Sequence, residues 1–381
     1  MTKDALKSAA LLGAGCLIAF LMLEGFLRFY GPLQTRLRGG DIILFPYKRY
    51  EVRNERFPKL EKEITRSNNS LGFRGPELPA DPARALTVIA VGGSTTEGFY
   101  LSDGKSWPEQ LGKKLEVSFD GAWANNAGMD GHSTFGHKAL LESYIIKLKP
   151  KAVVFLVGLN DMGLSSASRF DRLLTENRER PLPARALVWA ASRSRVAALL
   201  QNLFLYSRAI KAGLVHAELD LKAMKTAAPA PERLAGLLRR HSEGAAAYAR
   251  RLEDLVKLCR GSGIEPVLAT QPLLCGKGRD PVTGADLERL AAGEEFINCG
   301  AQWAALELYN AETRRLGRLL KVTVSDLAAN LPKDSRYYYD FSHFTAEGAE
   351  KAAALIYRDA CGALAKLSPE TYAGNCPKGA I

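Results

Sequence analysis

The sequence predicts an α/β protein built on a doubly wound parallel sheet. Two runs, "LTVIAVGG" (residues 86–93) and "AVVFLVGLND" (residues 152–161), open as continuous apolar, β-branched stretches without alternation, the pattern of strands covered on both faces. Segments with helical signals separate such runs, and strands that alternate with helices form parallel sheets. Each run also stops abruptly on Gly, Ser, Asn or Asp, residues that turn a chain out of a strand.

The elements follow in order. Residues 9–27 carry a single charge, Glu24, and at 1.5 Å per residue a helix of that length just crosses a bilayer. The run is long for the apolar core of a cleaved signal peptide, and no small-x-small site follows it. A lipoprotein site at Cys16 would want a larger aliphatic residue where Gly13 stands. We therefore expect residues 1–31 to be an uncleaved single-pass anchor. Lys3 and Lys7 precede the span while Arg28, Arg36 and Arg38 follow it, so the positive-inside count does not orient it.

Residues 32–83 read as a charged juxtamembrane connector in which "NNSLGFRGPE" is a loop. The main domain is expected over residues 84–365. After its first strand, "SWPEQLGKKLEV" reads as a helix capped by Ser106 with Pro108 in the first turn. A short strand near Trp123 leads to "NNAGMDGHS", and a helix over 136–148 precedes the second apolar run. Residues 165–231 form an Ala-, Leu- and Arg-rich helical insertion, expected to pack on the domain's flank rather than lie on a membrane. Pro231 suits the first turn of a long helix towards Ile264. "IEPVLATQP" and "KVTVSDL" supply two more strands, Thr345 can cap the last helix, and residues 366–381 are a tail.

Composition narrows the function classes. A chain with 47% hydrophobic and 24% charged residues can fill a core, which excludes wholesale disorder. The net charge of +11 is scattered and accompanies no nucleic-acid motif, so no nucleic-acid partner is expected. None of the six cysteines has C-x-x-C spacing or a histidine pair nearby, which argues against zinc. Cys361 with Cys376, or Cys275 with Cys299, would make bridges in an oxidising compartment, while free buried thiols fit the same sequence. Nothing in the sequence sets the oligomeric state.

Ligands of open parallel sheets bind at the carboxyl ends of the strands. There the sequence offers Ser94 in "GGSTTEG", Gly128 in "NNAGMDG", Asn160 in "GLND", and Asp340 with His343 in "DFSH". Those are the parts of an acyl-transfer site. His343 can take the Ser94 proton, Asp340 can fix the imidazole, and the amides of Ser94 and Gly128 with the Asn160 side chain can receive an oxyanion. Flanking glycines let the backbone turn sharply and a carbonyl approach.

Taken together, the four blocks resemble those of the SGNH (GDSL-type) hydrolases, whose Ser, Gly, Asn and His occur in this chain order. The likeness spans residues 85–364, interrupted by the insertion. "NSLGFRGPE" and the leading anchor are similar to membrane-bound or exported branches of that family. The resemblance implies a flavodoxin-like three-layer α/β/α sandwich and ester hydrolysis without metal or organic cofactor. It also implies an exported catalytic domain on the periplasmic or extracellular side. Where the family often has Asp before the serine, this chain has Gly93.

The expected substrate is an ester-bearing small molecule or glycan, with acetyl or another short acyl group on a cell-envelope carbohydrate foremost. An O-acyltransferase using the same acyl-enzyme, and a non-catalytic envelope scaffold, are the alternatives. Among other polar residues, Asp161 reads as a structural turn residue. His132 and His137 lie five apart, wrong for one helical face, and are expected to be non-catalytic. His216 and His241 read as solvated. Tyr337 to Tyr339 fit either a pocket wall or packing.

Overall fold

The fold was analysed in a computed structural model that describes residues 3–30, 36–162, 171, 182–211, 216, 218–292 and 296–377. The boundaries expected at 31/32 and at 165 lie outside the described residues. Helix α1 (Lys3–Phe29) leads to the paired two-residue strands β1 (Leu37–Arg38) and β2 (Asp41–Ile42). An antiparallel pair follows, β3 (Arg49–Arg53) with β4 (Glu63–Ser67). Then come β5 (Thr87–Gly92), α2 (Ser94–Glu97), α3 (Trp107–Leu115) and β6 (Trp123–Asn126). Helix α4 (Thr134–Leu140) passes through a π-turn into α5 (Ile146–Leu148), which precedes β7 (Ala152–Leu156). The second half holds α6 (Leu182–Arg193), α7 (Arg195–Lys211), α8 (Pro231–Gly261), β8 (Glu265–Ala269), α9 (Cys299–Leu320), β9 (Thr323–Ser325), α10 (Leu327–Asn330) and α11 (Ala346–Leu367).

Two compact units divide the chain: residues 1–43 with 172–214, and residues 44–171 with 215–381. In the larger unit the five expected strands pair in the order β6-β5-β7-β8-β9, all parallel. That is the flavodoxin order, with its switch point between β5 and β7 at their carboxyl ends. Every residue of β5 and β7 is buried, which is why neither run alternates. Helices α3 and α11 pack on each other and on the sheet, and α8 packs on α9, α4 and β8. The result is the three-layer sandwich.

Local signals hold where the sequence places them. Ser106 and Glu109 form a capping box at the start of α3, Pro231 opens α8, and Thr345 Oγ1 accepts from the Gly348 amide at the start of α11. Several elements are additions, a strand pair and a long helix among them. The β3–β4 pair arises in the stretch read as a connector, where Ile64 and Arg66 point inward and alternate with the polar residues Glu63, Thr65 and Ser67. Helix α9 has an apolar face whose residues Ala305, Leu306, Tyr309 and Leu316 are buried. Both cysteine pairs are disulfide-bonded, Cys275–Cys299 and Cys361–Cys376, leaving Cys16 exposed and Cys259 buried as free thiols.

Two histidines differ from expectation. His241 is buried on α8, its ring against Phe296 and Tyr309, because α8 packs its inner face on α9. His216 is half-buried beside His343 and is taken up with the site below.

The smaller unit is helical. Helix α1 is long and apolar enough to cross a membrane. It packs on α7, α6 packs on α7, and both of these touch β1.

Candidate active site

Strand β5 ends on Gly92, and the chain turns at Gly93 directly into the single turn of α2 with Ser94 as its first residue. The amides of Thr96 and Glu97 donate to Gly93 O, while the Ser94 amide, in the first turn, has no acceptor within the helix. Gly93 is tightly enclosed: a Cβ there would run into Asn160 Nδ2. At the departure noted here, a side chain would require the Asn160 amide to shift.

Behind α2, a buried ion pair fixes the turn. Arg66 Nη1 meets Glu97 Oε1 at 2.7 Å with both side chains almost fully buried. The Arg66 guanidinium lies between the Tyr50 and Phe99 rings at 4.3 and 4.2 Å. Glu97 Oε2 also accepts from the Asp130 amide at 2.6 Å, tying α2 to the loop after β6. Arg74, from the loop "NSLGFRGPE", donates to the carbonyls of Glu97 and Gly98 at 2.8 and 2.9 Å and of Leu101 at 3.1 Å.

Gly128 lies where a Cβ would collide with the backbone of Glu97, so only glycine allows this approach. Its amide donates to Asn126 Oδ1 at 2.9 Å. Asn160 occupies a 3₁₀ turn (Leu159–Asp161) just past β7. One hydrogen of its amide goes to His132 O at 2.9 Å, which sets the side-chain orientation and leaves the second hydrogen. Asp161 is fully buried, accepting from Thr134 Oγ1 at 2.5 Å and pairing with Arg251 at 2.9 Å.

The loop before α11 supplies the other partners. Asp340 Oδ1 accepts from the amides of Ser342 and His343 at 2.9 and 2.8 Å. Asp340 Oδ2 lies 2.6 Å from His343 Nδ1, and His343 Nε2 lies 2.7 Å from Ser94 Oγ. With Nδ1–H given to the carboxylate, Nε2 is left to accept the serine hydroxyl proton. Burial disfavours charge on His343, but Asp340 outweighs it by its charge and hydrogen bond, and the imidazole pKa is raised. Asp340 is likewise penalised by burial, yet His343 and two backbone amides hold its pKa below the ordinary value.

This loop is braced from outside. The Leu274 amide donates to Phe341 O at 2.8 Å, and Lys333 Nζ donates to Leu273 O at 2.8 Å beside the Cys275–Cys299 bridge. Lys59 Nζ donates to Ser335 O at 2.7 Å, and Asp280 accepts from the Ser335 amide at 2.8 Å.

Aromatic rings surround the imidazole. Tyr339 stacks on His343 with centroids 5.6 Å apart and packs on Phe57 at 4.9 Å. The His216 ring lies 4.0 Å from that of His343, and its Nδ1 is 2.7 Å from the Tyr339 hydroxyl. Burial first, then Asp340, pushes the Tyr339 pKa well above its ordinary value, so it keeps its proton. No sequence signal isolates His216, because Tyr339 and His343 lie more than a hundred residues away. Beyond Tyr339, Phe57, Pro58, Lys59, Glu218 and Leu219 join it around a cavity of about 90 Å³.

His216, Asp340 and His343 each offer a ligand atom, all within 4.8 Å of one another. Within this set the His343 nitrogens are engaged with Asp340 and Ser94. His137 is buried and its pKa is lowered to about 4 by burial and by His132, which keeps it neutral.

Comparison with known proteins adds the following. No curated protein matches the chain. Solved structures that it resembles include a protein assigned to the G-D-S-L lipolytic family from Desulfitobacterium hafniense, at 14% identity over 71% of this chain and 97% of that one, TM-score 0.36. An acetylxylan esterase from Geobacillus stearothermophilus matches at 15% identity over 71% and 92%, TM-score 0.39. A GDSL-like lipase structure from Parabacteroides merdae matches at 11% over 78% and 100%, TM-score 0.39. The model of the GDSL-like Lipase/Acylhydrolase family matches residues 90–351. That match runs from within β5 into α11, across the whole sheet and well over half the chain, and so this protein belongs to the GDSL-like lipase/acylhydrolase family of carboxylic ester hydrolases.

Proposed function

We propose that the protein is a membrane-anchored serine esterase that removes short acyl groups, such as acetyl, from a cell-envelope carbohydrate. The observation that carries this reading is the unbroken hydrogen-bond chain from Ser94 Oγ through His343 to Asp340. Ser94 Oγ attacks the ester carbonyl carbon while its proton passes to His343 Nε2. The carbonyl oxygen becomes an oxyanion, received by the Ser94 amide and the free hydrogen of Asn160 Nδ2. Gly128 can join them only by sharing the amide it gives to Asn126. Collapse breaks the ester C–O bond, and the leaving alkoxide takes the proton from His343. Water then attacks the acyl-enzyme with His343 again as base, releasing the acid and restoring Ser94.

Asp340 holds the imidazole in the required tautomer and stabilises the imidazolium formed at each step. Helix α1 supports the anchor, and the two disulfides support a catalytic unit outside the reducing cytoplasm. The setting of Ser94, only 8% exposed and bonded to a His343 ring flanked by Tyr339 and His216, supports a small acyl group.

The test is fluorophosphonate labelling of the full chain in detergent, followed by rates on aryl esters of increasing acyl length. Expected are an adduct at Ser94, absent from Ser94→Ala, and rates highest for acetyl. A folded wild-type chain that takes no label would overturn the catalytic assignment. Incubation with an acyl donor and a glycan should yield free acid; acylated sugar as the main product would replace hydrolysis by transfer.

A further inference from the structure

One charge interrupts the apolar run of α1, and its contacts explain it. Glu24 is buried, and its carboxylate accepts from the amides of Arg195 and Val196 at 2.9 and 3.0 Å and from Ser194 Oγ at 2.8 Å. It thus caps the N-terminus of α7. One turn on, Arg28 pairs with Glu24 at 2.7 Å and donates to Arg193 O at 2.6 Å, at the C-terminus of α6. A carboxylate meets the positive end of one helix and a guanidinium the negative end of the other. The α6–α7 corner is therefore clamped to α1 near the end of its apolar run.

That clamp sets a depth. If residues 9–27 fill the hydrocarbon, Glu24 lies one turn, about 5 Å, from its edge. Helix α7 starts at that depth, its first amides held by Glu24. Its inner face is buried through Ala198 and Gln201, while Leu200, Leu203 and Phe204, spaced to share a face, are more than half exposed. On α6, Leu187 and Trp189 are exposed to the same degree, and the Arg193 guanidinium lies over the Trp189 ring at 4.5 Å. Residues 182–211 contain five Arg and Lys and no Asp or Glu.

We infer that the α6–α7 hairpin is a membrane-interface element, its apolar face laid among the acyl chains beside α1 and its cations set against anionic lipid headgroups. Two features select lipid as the occupant: the exposed apolar side chains belong to helices packed with α1, itself of membrane-spanning length, and the charges the hairpin carries are of one sign. This reverses the sequence expectation that the insertion packs on the domain's flank. It rests on the reading of α1 as a membrane span.

The experiment uses the full chain reconstituted into phosphatidylcholine–phosphatidylglycerol vesicles, with tryptophan emission compared between wild type and Trp189→Phe. The part of the emission due to Trp189 should be quenched by lipids brominated near the headgroup end of the acyl chain, and protected from aqueous iodide. Quenching by iodide without quenching by bromolipid overturns the inference, and so does protection from both, which would mean that protein covers the face. A second variant, Leu203→Ser with Phe204→Ser, should lower the bromolipid quenching of Trp189 at least twofold; unchanged quenching counts against the hairpin lying flat. Alkaline carbonate extraction of the wild type reads the anchor separately. Release of the chain would overturn the anchor and with it the hairpin's depth, whereas retention with Trp189 open to iodide overturns the hairpin alone.

Discussion

Around Ser94 the chain satisfies its own surfaces, whereas α1, α6 and α7 do not. The sheet edge is built with fine steric tolerance: Gly93 and Gly128 leave no room for a methyl group, and Glu97 is neutralised by Arg66 and bonded to the Asp130 amide. In the helical unit the Glu24–Arg28 pair ties the helices together, and large apolar side chains turn outward. A reacting group must be held to within fractions of an ångström, so it is set in a region whose every neighbour belongs to the chain. A surface made for a fluid partner needs only a face and a depth. The two regions should therefore respond very differently to substitution.

Ser94→Ala should produce the largest effect, a loss of esterase activity of about 10⁴-fold or more, with thermal unfolding unchanged. Retained activity in that variant would break the comparison at its root. Next, Arg66→Met should destabilise the larger unit by about 3–5 kcal/mol, because it strands Glu97 as a buried charge. Denaturant titration checks this, and a change under 1 kcal/mol would mean that the turn is not pre-packed as described. Asn160→Ala should lower kcat by about 10²–10³-fold with little change in KM. A rise in KM alone would assign Asn160 to binding rather than to the oxyanion.

A pH profile sharpens the same contrast. His343 must be neutral to accept the serine proton, and its pKa is raised. The acid limb of kcat/KM should therefore have its midpoint above the ordinary imidazole value of about 6.5, falling about tenfold per pH unit below it. Stability linkage has opposite signs for the two partners. The contribution of Asp340, whose pKa is lowered, is present above the ordinary carboxylate value and lost as pH falls through the folded one. The contribution of His343 is complete below the ordinary imidazole value and lost as pH rises through its folded one. The smallest effect belongs to the helical unit: Glu24→Gln should weaken the α7 cap by about 1 kcal/mol and leave esterase kinetics unchanged. Loss of activity there would show that the two regions are coupled.

Much of the larger unit is legible in the sequence because its signals are local. Residues buried on both faces of a sheet must be apolar throughout, so β5 and β7 announce themselves, and the polar loops that follow mark the strand ends. Gly93 reads as a simple departure along the chain, and only the fold shows how near Asn160 lies to it. The β3–β4 pair is short and half exposed, so its pattern is hidden among charges, and the Arg66–Glu97 pair joins residues 31 apart with nothing local to mark it. His241 and His216 were misread as solvated because burial of a histidine depends on what packs over it.

By itself the sequence determined the class of fold, the order of its strands along the chain, and which polar residues stand at the strand ends. Backbone hydrogen bonding and burial write those features into consecutive residues. Only the tertiary structure decided that Ser94 and His343, 249 residues apart, come within hydrogen-bonding distance, and that Glu24 meets the start of α7. Such contacts are fixed by how layers and helices close on one another, and that closure leaves no periodic trace in either partner's own stretch of chain.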